Sequence, residues 1–118
     1  MPVISREDAR VEISDGGAEL RTAPAGEMTA GFVRAPKGTD FRPVLEGLPG
    51  DLCQCPHWGY MIKGRVKMHT ADGEEIYETG QVFYWPAGHA PEVLEDAEYI
   101  DFSPPEEFRQ VLDHIRAG

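Results

Sequence analysis

Between Arg65 and Trp85 the chain alternates polar and apolar residues with a period of two, broken at short intervals by turn residues. Arg65-Val-Lys-Met-His-Thr70 alternates, Ala71-Asp72-Gly73 supplies a hairpin turn, and Glu75-Ile-Tyr-Glu78 resumes the alternation. Gly80 then opens Gln81-Val-Phe-Tyr-Trp85, which Pro86-Ala-Gly88 stops. Successive side chains of a strand point to opposite faces, so this pattern predicts short antiparallel strands joined by tight turns. A further strand pair is predicted at about Pro91–Leu94 and Tyr99–Phe102, and earlier strands at Arg10–Ser14 and Met28–Arg34. Residues 35–40 and 46–51 read as loops from their Gly, Pro and Asp content. Thirteen glycines and ten prolines suit such punctuation better than a helical bundle. The expected fold class is all-β, a sandwich or barrel, in a single domain over residues 1–118 with no internal repeat.

One helix is expected at the end, over about residues 104–116. Ser103 can cap it, Pro104 suits its first position, and Glu106 completes a Ser-x-x-Glu capping box. Phe108, Val111, Leu112 and Ile115 then fall on one apolar stripe, which needs a surface to cover. The outside of its own barrel is preferred to a neighbouring subunit.

The net charge of −10 is unevenly placed. Residues 1–70 carry nine acids and nine bases; residues 71–118 carry twelve acids against Arg109 and Arg116. Such a surface repels phosphate backbones and anionic membranes, so neither nucleic acid nor membrane is an expected partner. No apolar run approaches the ~20 residues of a membrane span. The first residues lack the basic start and apolar core of a signal peptide, so a cytoplasmic location is expected, with the two cysteines as free thiols or metal ligands.

The chemistry concentrates in Leu52–Ile62. On a strand, Cys53, Cys55 and His57 would project to one face, a soft donor set suited to a divalent transition metal, zinc first among them. The opposite row, Leu52, Gln54, Pro56, Trp58, Tyr60 and Ile62, is largely apolar, and a strand apolar on both faces is expected to be covered on both. Pro56 can bulge the strand and rotate His57 off the row. Buried cysteines also serve as small core hydrophobes, which is the competing reading.

The stretch His57-Trp-Gly-Tyr-Met-Ile-Lys-Gly64 resembles the end of the first cupin motif, and Gly80-Gln-Val-Phe-Tyr-Trp-Pro86-Ala-Gly88 resembles the second. Fifteen residues separate Gly64 from Gly80, the short spacing of small single-domain bacterial cupins; the motif region spans residues 51–103. The resemblance implies a cupin-type double-stranded β-helix, the jelly-roll barrel. It also implies a metal held by two histidines and a carboxylate from the first motif and a histidine from the second. This chain departs from that set. Aligned without gaps from Gly64, the histidine positions hold Asp51 and Cys53 and the carboxylate position holds His57. With one residue deleted, Cys53-Gln-Cys55 replaces the histidine pair. Pro91 stands at the second-motif position and His89 lies two residues earlier.

The candidate metal ligands are therefore Cys53, Cys55, His57 and His89, with a small metabolite at the barrel mouth. Trp58, Tyr60, Tyr84 and Trp85 are the candidate ligand-binding aromatics, with Phe83 beside them. The alternatives are a metal-free small-molecule binder, a structural dimeric barrel or acidic docking module, and a thiol nucleophile served by His57 or His89. His69 and His114 are expected at the surface. A homodimer is expected from the two-sided strand and the amphipathic helix.

Overall fold

The computed structural model describes residues 3–118. Its strands are β1 (Arg10–Asp15), β2 (Ala18–Ala25), β3 (Met28–Ala35), β4 (His57–Thr70), β5 (Gly73–Glu78), β6 (Val82–Trp85) and β7 (His89–Ser103), and α1 (Pro105–Ala117) follows. They pair antiparallel in the order β1-β2-β3-β7-β4-β5, with β6 added to β4. Strands β4 and β7 are long and run alongside each other from Trp58↔Phe102 to Thr70↔His89. One half of each belongs to a wall with β6 and β3, the other to a wall with β5. That sharing of two bent strands makes the barrel.

The bend has a local cause. The buried row of β4 begins His57, Met61 and continues Val66, Met68, so it changes from odd to even positions. Register shifts against β7 fall between Met61 and Val66, as expected where a bulge inserts an unpaired residue and turns the strand. Gly64 lies inside this stretch at φ 94°, and a Cβ there would meet the Asp96 carbonyl oxygen at 2.3 Å. Only glycine supplies both the conformation and the room.

The hairpin at Arg65–Glu78 and strand β6 form where the alternation placed them, and β1 and β3 form where β-compatible residues did. Four details differ. Residues 52–56 are loop, not strand, because Pro56 withholds a ladder donor; Cys53 alone makes a bridge there, to His89. The pair expected at 91–94 and 99–102 is one continuous strand, β7, since its exposed acids at 95 and 96 mark the bend over Gly64 rather than a turn. Strand β2 was hidden by its polar sequence and Pro24. That proline pairs with Thr29 of β3 but lies past the end of β1's ladder, where its missing N–H costs nothing. Finally, Ser103 does not cap α1: Pro104 takes the N-cap position with no side-chain bond, and Ser103 turns inward.

Two packed clusters fill the interior. Met61, Val66, Met68, Phe83, Trp85, Val93 and Tyr99 form the first, with Phe83 and Trp85 stacked at 3.7 Å. In the second, Phe108, Val111 and Leu112 of α1 cover Leu45, Cys53, Cys55 and Ala90. The helix stripe thus closes the end of its own barrel. Its last turn is tied down by His114 Nε2–H donating to the Glu46 carbonyl (2.7 Å) and by Arg116 on Glu12 (3.0 Å). Among the described residues no element covers the outer row of β4, and the helix does not reach it: Trp58, Tyr60 and Ile62 are each more than two-fifths exposed.

Candidate metal centre

The loop carrying Cys53 is held against the start of β7 by two backbone bonds. Cys53 N–H donates to the His89 carbonyl (2.8 Å), and Gly88 N–H donates to that of Cys53 (2.7 Å). This pairing sets Cys53 beside His89 although 36 positions separate them. His57 enters from the first residue of β4. One ligand atom from each of Cys53, His57 and His89 lies within 4.8 Å of the others, and all three residues are buried.

Both imidazoles are oriented from behind. His89 Nδ1–H donates to the Pro86 carbonyl (2.7 Å), which fixes its tautomer and leaves Nε2 as a lone pair. His57 Nδ1 is hydrogen-bonded with Ser103 Oγ (2.5 Å), with an Asp101 carboxyl oxygen 3.8 Å away. Its Nε2 faces Cys53 Sγ at 3.8 Å. Donors bound to one ion at ~2.0–2.3 Å stand roughly 3.5 Å apart, so this separation suits a shared tetrahedral ion.

Burial sets the protonation. It holds the His57 imidazole down at about 3, helped by the neighbouring His89, and lowers His89 in the same direction. It pushes the Cys53 thiol up to about 11, Cys55 higher still, and the Asp101 carboxyl up to about 7. At neutral pH the imidazoles are therefore unprotonated and the thiol intact. The metal-free fold should respond to acid accordingly. Between about pH 6.5 and 3 the unfolded chain takes up the histidine protons and the folded one does not, so stability falls as pH falls. Asp101 opposes this from about 7 down to 3.8, where only the folded chain keeps its proton, and it offsets much of the His57 loss. With that opposing carboxyl removed by Asp101→Asn, urea midpoints measured with chelator present should fall from pH 6.5 to 4. Midpoints that rise over that range would contradict the buried, neutral histidines.

A cavity of about 90 Å³ adjoins the three donors, walled by Leu20, Phe41, Trp85, Tyr99, Phe108 and Leu112. Phe108 packs edge-on to His57 at 5.6 Å, so α1 forms the roof. Glu19 also reaches the cavity but is engaged by Arg6 and Arg21. Of the four candidate ligands, the fold brings together Cys53, His57 and His89. Cys55 is buried beside them, but its thiol faces the Pro56 carbonyl (3.5 Å) and the α1 side of the core. Of the four candidate aromatics, only Trp85 borders the cavity. Trp58, Tyr60 and Tyr84 lie on the outer face, because inward His57 and Trp85 force their strand neighbours outward. His69 is half-buried between Glu74 (3.2 Å) and Glu92 (2.9 Å) rather than free at the surface, and His114 is half-buried on Glu46.

Two site residues were not singled out from sequence, Asp101 and Ser103. Both belong to the inward row of β7 with Tyr99, and an acid at that spacing in an apolar strand was the available signal. Asp101 Oδ1 has no hydrogen-bond partner, and it lies where a Cβ on Gly31 would stand.

No family model matches the chain, and no curated protein matches it. Solved structures do. An RmlC-like cupin from Shewanella frigidimarina superposes with a TM-score of 0.62 at 18% identity, covering 89% of this chain and 93% of that one. KdgF from Halomonas sp. gives 0.60 at 18% identity, with 89% and 96% covered. A Bacillus subtilis oxalate decarboxylase, a protein described with Mn(II) centres, gives 0.61 at 20% identity over 86% of this chain and 28% of its own. The architecture is the cupin barrel, as the two motifs implied. Within it this chain carries a buried Cys/His/His group able to hold a metal.

Proposed function

We propose that this protein is a metal-binding cupin whose ion is held by Cys53, His57 and His89, and which takes a small, largely apolar molecule with one polar head group. The observation that carries the reading is the convergence of three donors whose imidazoles are neutral and already oriented by Ser103 and the Pro86 carbonyl. A thiolate and two imidazoles favour zinc or a similar borderline-soft divalent ion. Such an ion, when bound, supplies a Lewis acid toward an oxygen or nitrogen of the ligand. Three protein donors leave coordination free for that ligand, and the apolar cavity excludes water around it. A thiol nucleophile would use Cys53 and one imidazole and leave the second, equally oriented imidazole without a part.

Elemental analysis of the purified protein tests this, before and after exposure to zinc or cobalt(II). The expected loading approaches one ion per chain. Less than about a tenth of an equivalent under both conditions would overturn the reading. The Mn(II) of the oxalate decarboxylase is an informative contrast, because a thiolate ligand disfavours manganese relative to zinc.

A further inference from the structure

We propose that the cavity selects a small apolar alcohol, whose hydroxyl donates to Asp101 Oδ1. This pairing rests on the reading of the cavity as a ligand site, but it needs no ion in the metal centre. Asp101 is 4% exposed and lines the cavity. Its two oxygens differ. Oδ2 looks toward His57 Nδ1 at 3.8 Å, while Oδ1 is buried and has no hydrogen-bond partner among the described residues. Buried polar atoms in native folds are nearly always paired, so an orphan acceptor beside a cavity marks where an incoming donor belongs.

The fold keeps that oxygen free. Asp101 pairs across its two ladders with Gly31 of β3 and Gly59 of β4, so neither neighbour brings a side chain that could bond it. The Phe83 ring takes the room over Gly59, and Oδ1 itself takes the room over Gly31, beside Leu20 Cδ1. Leu20 lines the cavity as well, so Oδ1 stands at its wall. A carboxyl kept for structure is set against a cation, as Glu19 is against Arg6 and Arg21. Protonated or not, the Asp101 carboxyl keeps lone pairs that accept from a hydroxyl, so the pairing does not depend on its charge. The other walls, among them Phe41, Trp85, Phe108 and Leu112, call for hydrocarbon in the rest of the molecule. An apolar cavity on the order of 150 Å³ takes benzene. One of about 90 Å³ therefore suits roughly four or five non-hydrogen atoms.

Two isomers of one composition, n-butanol and methyl propyl ether, test the proposal. Each is titrated into the full chain with chelator present and again after zinc loading, and binding is followed by amide chemical shifts. The alcohol is expected to bind at least ~10-fold more tightly than the ether in both states. Its carbinol protons should show nuclear Overhauser contacts to the Gly31 Cα protons, against which Oδ1 lies. Asp101→Leu, close to the same shape, should bring the alcohol down to the level of the ether while the ether still binds. Asp101→Asn keeps an amide oxygen and should retain most of the preference. Equal binding of the two isomers by the parent chain, contacts to Gly31 from the far methyl group instead, or an undiminished preference in a folded Asp101→Leu protein would each overturn the proposal. Binding of neither isomer would overturn the ligand cavity with it. A preference kept by a chain that takes up no zinc would support the role of Asp101 and count against the metal alone.

Discussion

Cys53→Ser is expected to lower affinity for zinc or cobalt(II) by more than ~100-fold, while Cys55→Ser leaves it within a few-fold. Removing groups that merely orient a ligand typically costs 10–100-fold, and removing the ligand itself costs more. The two cysteines are only two positions apart, so composition and local sequence treat them alike. Cys53 is within reach of both imidazoles, whereas the Cys55 thiol is turned to Pro56 and α1. Titration with cobalt(II) gives a direct readout, because a thiolate ligand adds a sulfur-to-metal charge-transfer band that imidazoles do not. The band should survive Cys55→Ser and vanish with Cys53→Ser. The reverse outcome would place the metal on the other thiol. Loss in both would point to an ion shared between the cysteines, as the strand alternation alone suggests.

Gly64→Ala is expected to destabilise the fold by about 3 kcal/mol, lowering the melting temperature by on the order of 10–20 °C. The alanine must adopt φ 94°, and its Cβ lands 2.3 Å from a backbone oxygen that cannot rotate away. Left-handed strain contributes about 1–2 kcal/mol and overpacking about 1–3. Gly73 sits at φ 132° in the open β4–β5 turn with nothing near its virtual Cβ. It is the control, carrying the backbone cost alone. Equal losses at both positions, read by thermal unfolding, would mean that the close approach over Asp96 does not hold the bulge.

Gly64 also marks where sequence reading stops. On either side the alternation is legible: Val66 and Met68 are inward as a strand period of two requires, and so are Phe83 and Trp85. Which row of 57–62 faces inward is another matter, because a one-residue bulge exchanges the two rows and leaves no periodic trace. Trp58 and Tyr60 therefore read as pocket aromatics from composition, yet they stand on the outer wall with Tyr84, whose neighbours Phe83 and Trp85 take the inward places. The β7 bend was likewise hidden, since a strand that continues through two exposed acids looks locally like a turn.

Some features were written in local chemistry. The hairpins, the stripe of α1, the first two-thirds of the donor set and the second-motif glycines depend on residues close together in the chain, where period and spacing decide the outcome. The sequence by itself thus determined an all-β barrel closed by one amphipathic helix, and limited the candidate metal donors to two cysteines and two histidines. Only the tertiary structure decided between the cysteines, set Ser103 and Asp101 behind His57, and turned three aromatics outward. Those outcomes depend on long-range pairing: Cys53 on His89, and Gly59 of β4 and Gly31 of β3 on either side of Asp101. Register across distant strands is a property of the packed whole, and no window of sequence contains it.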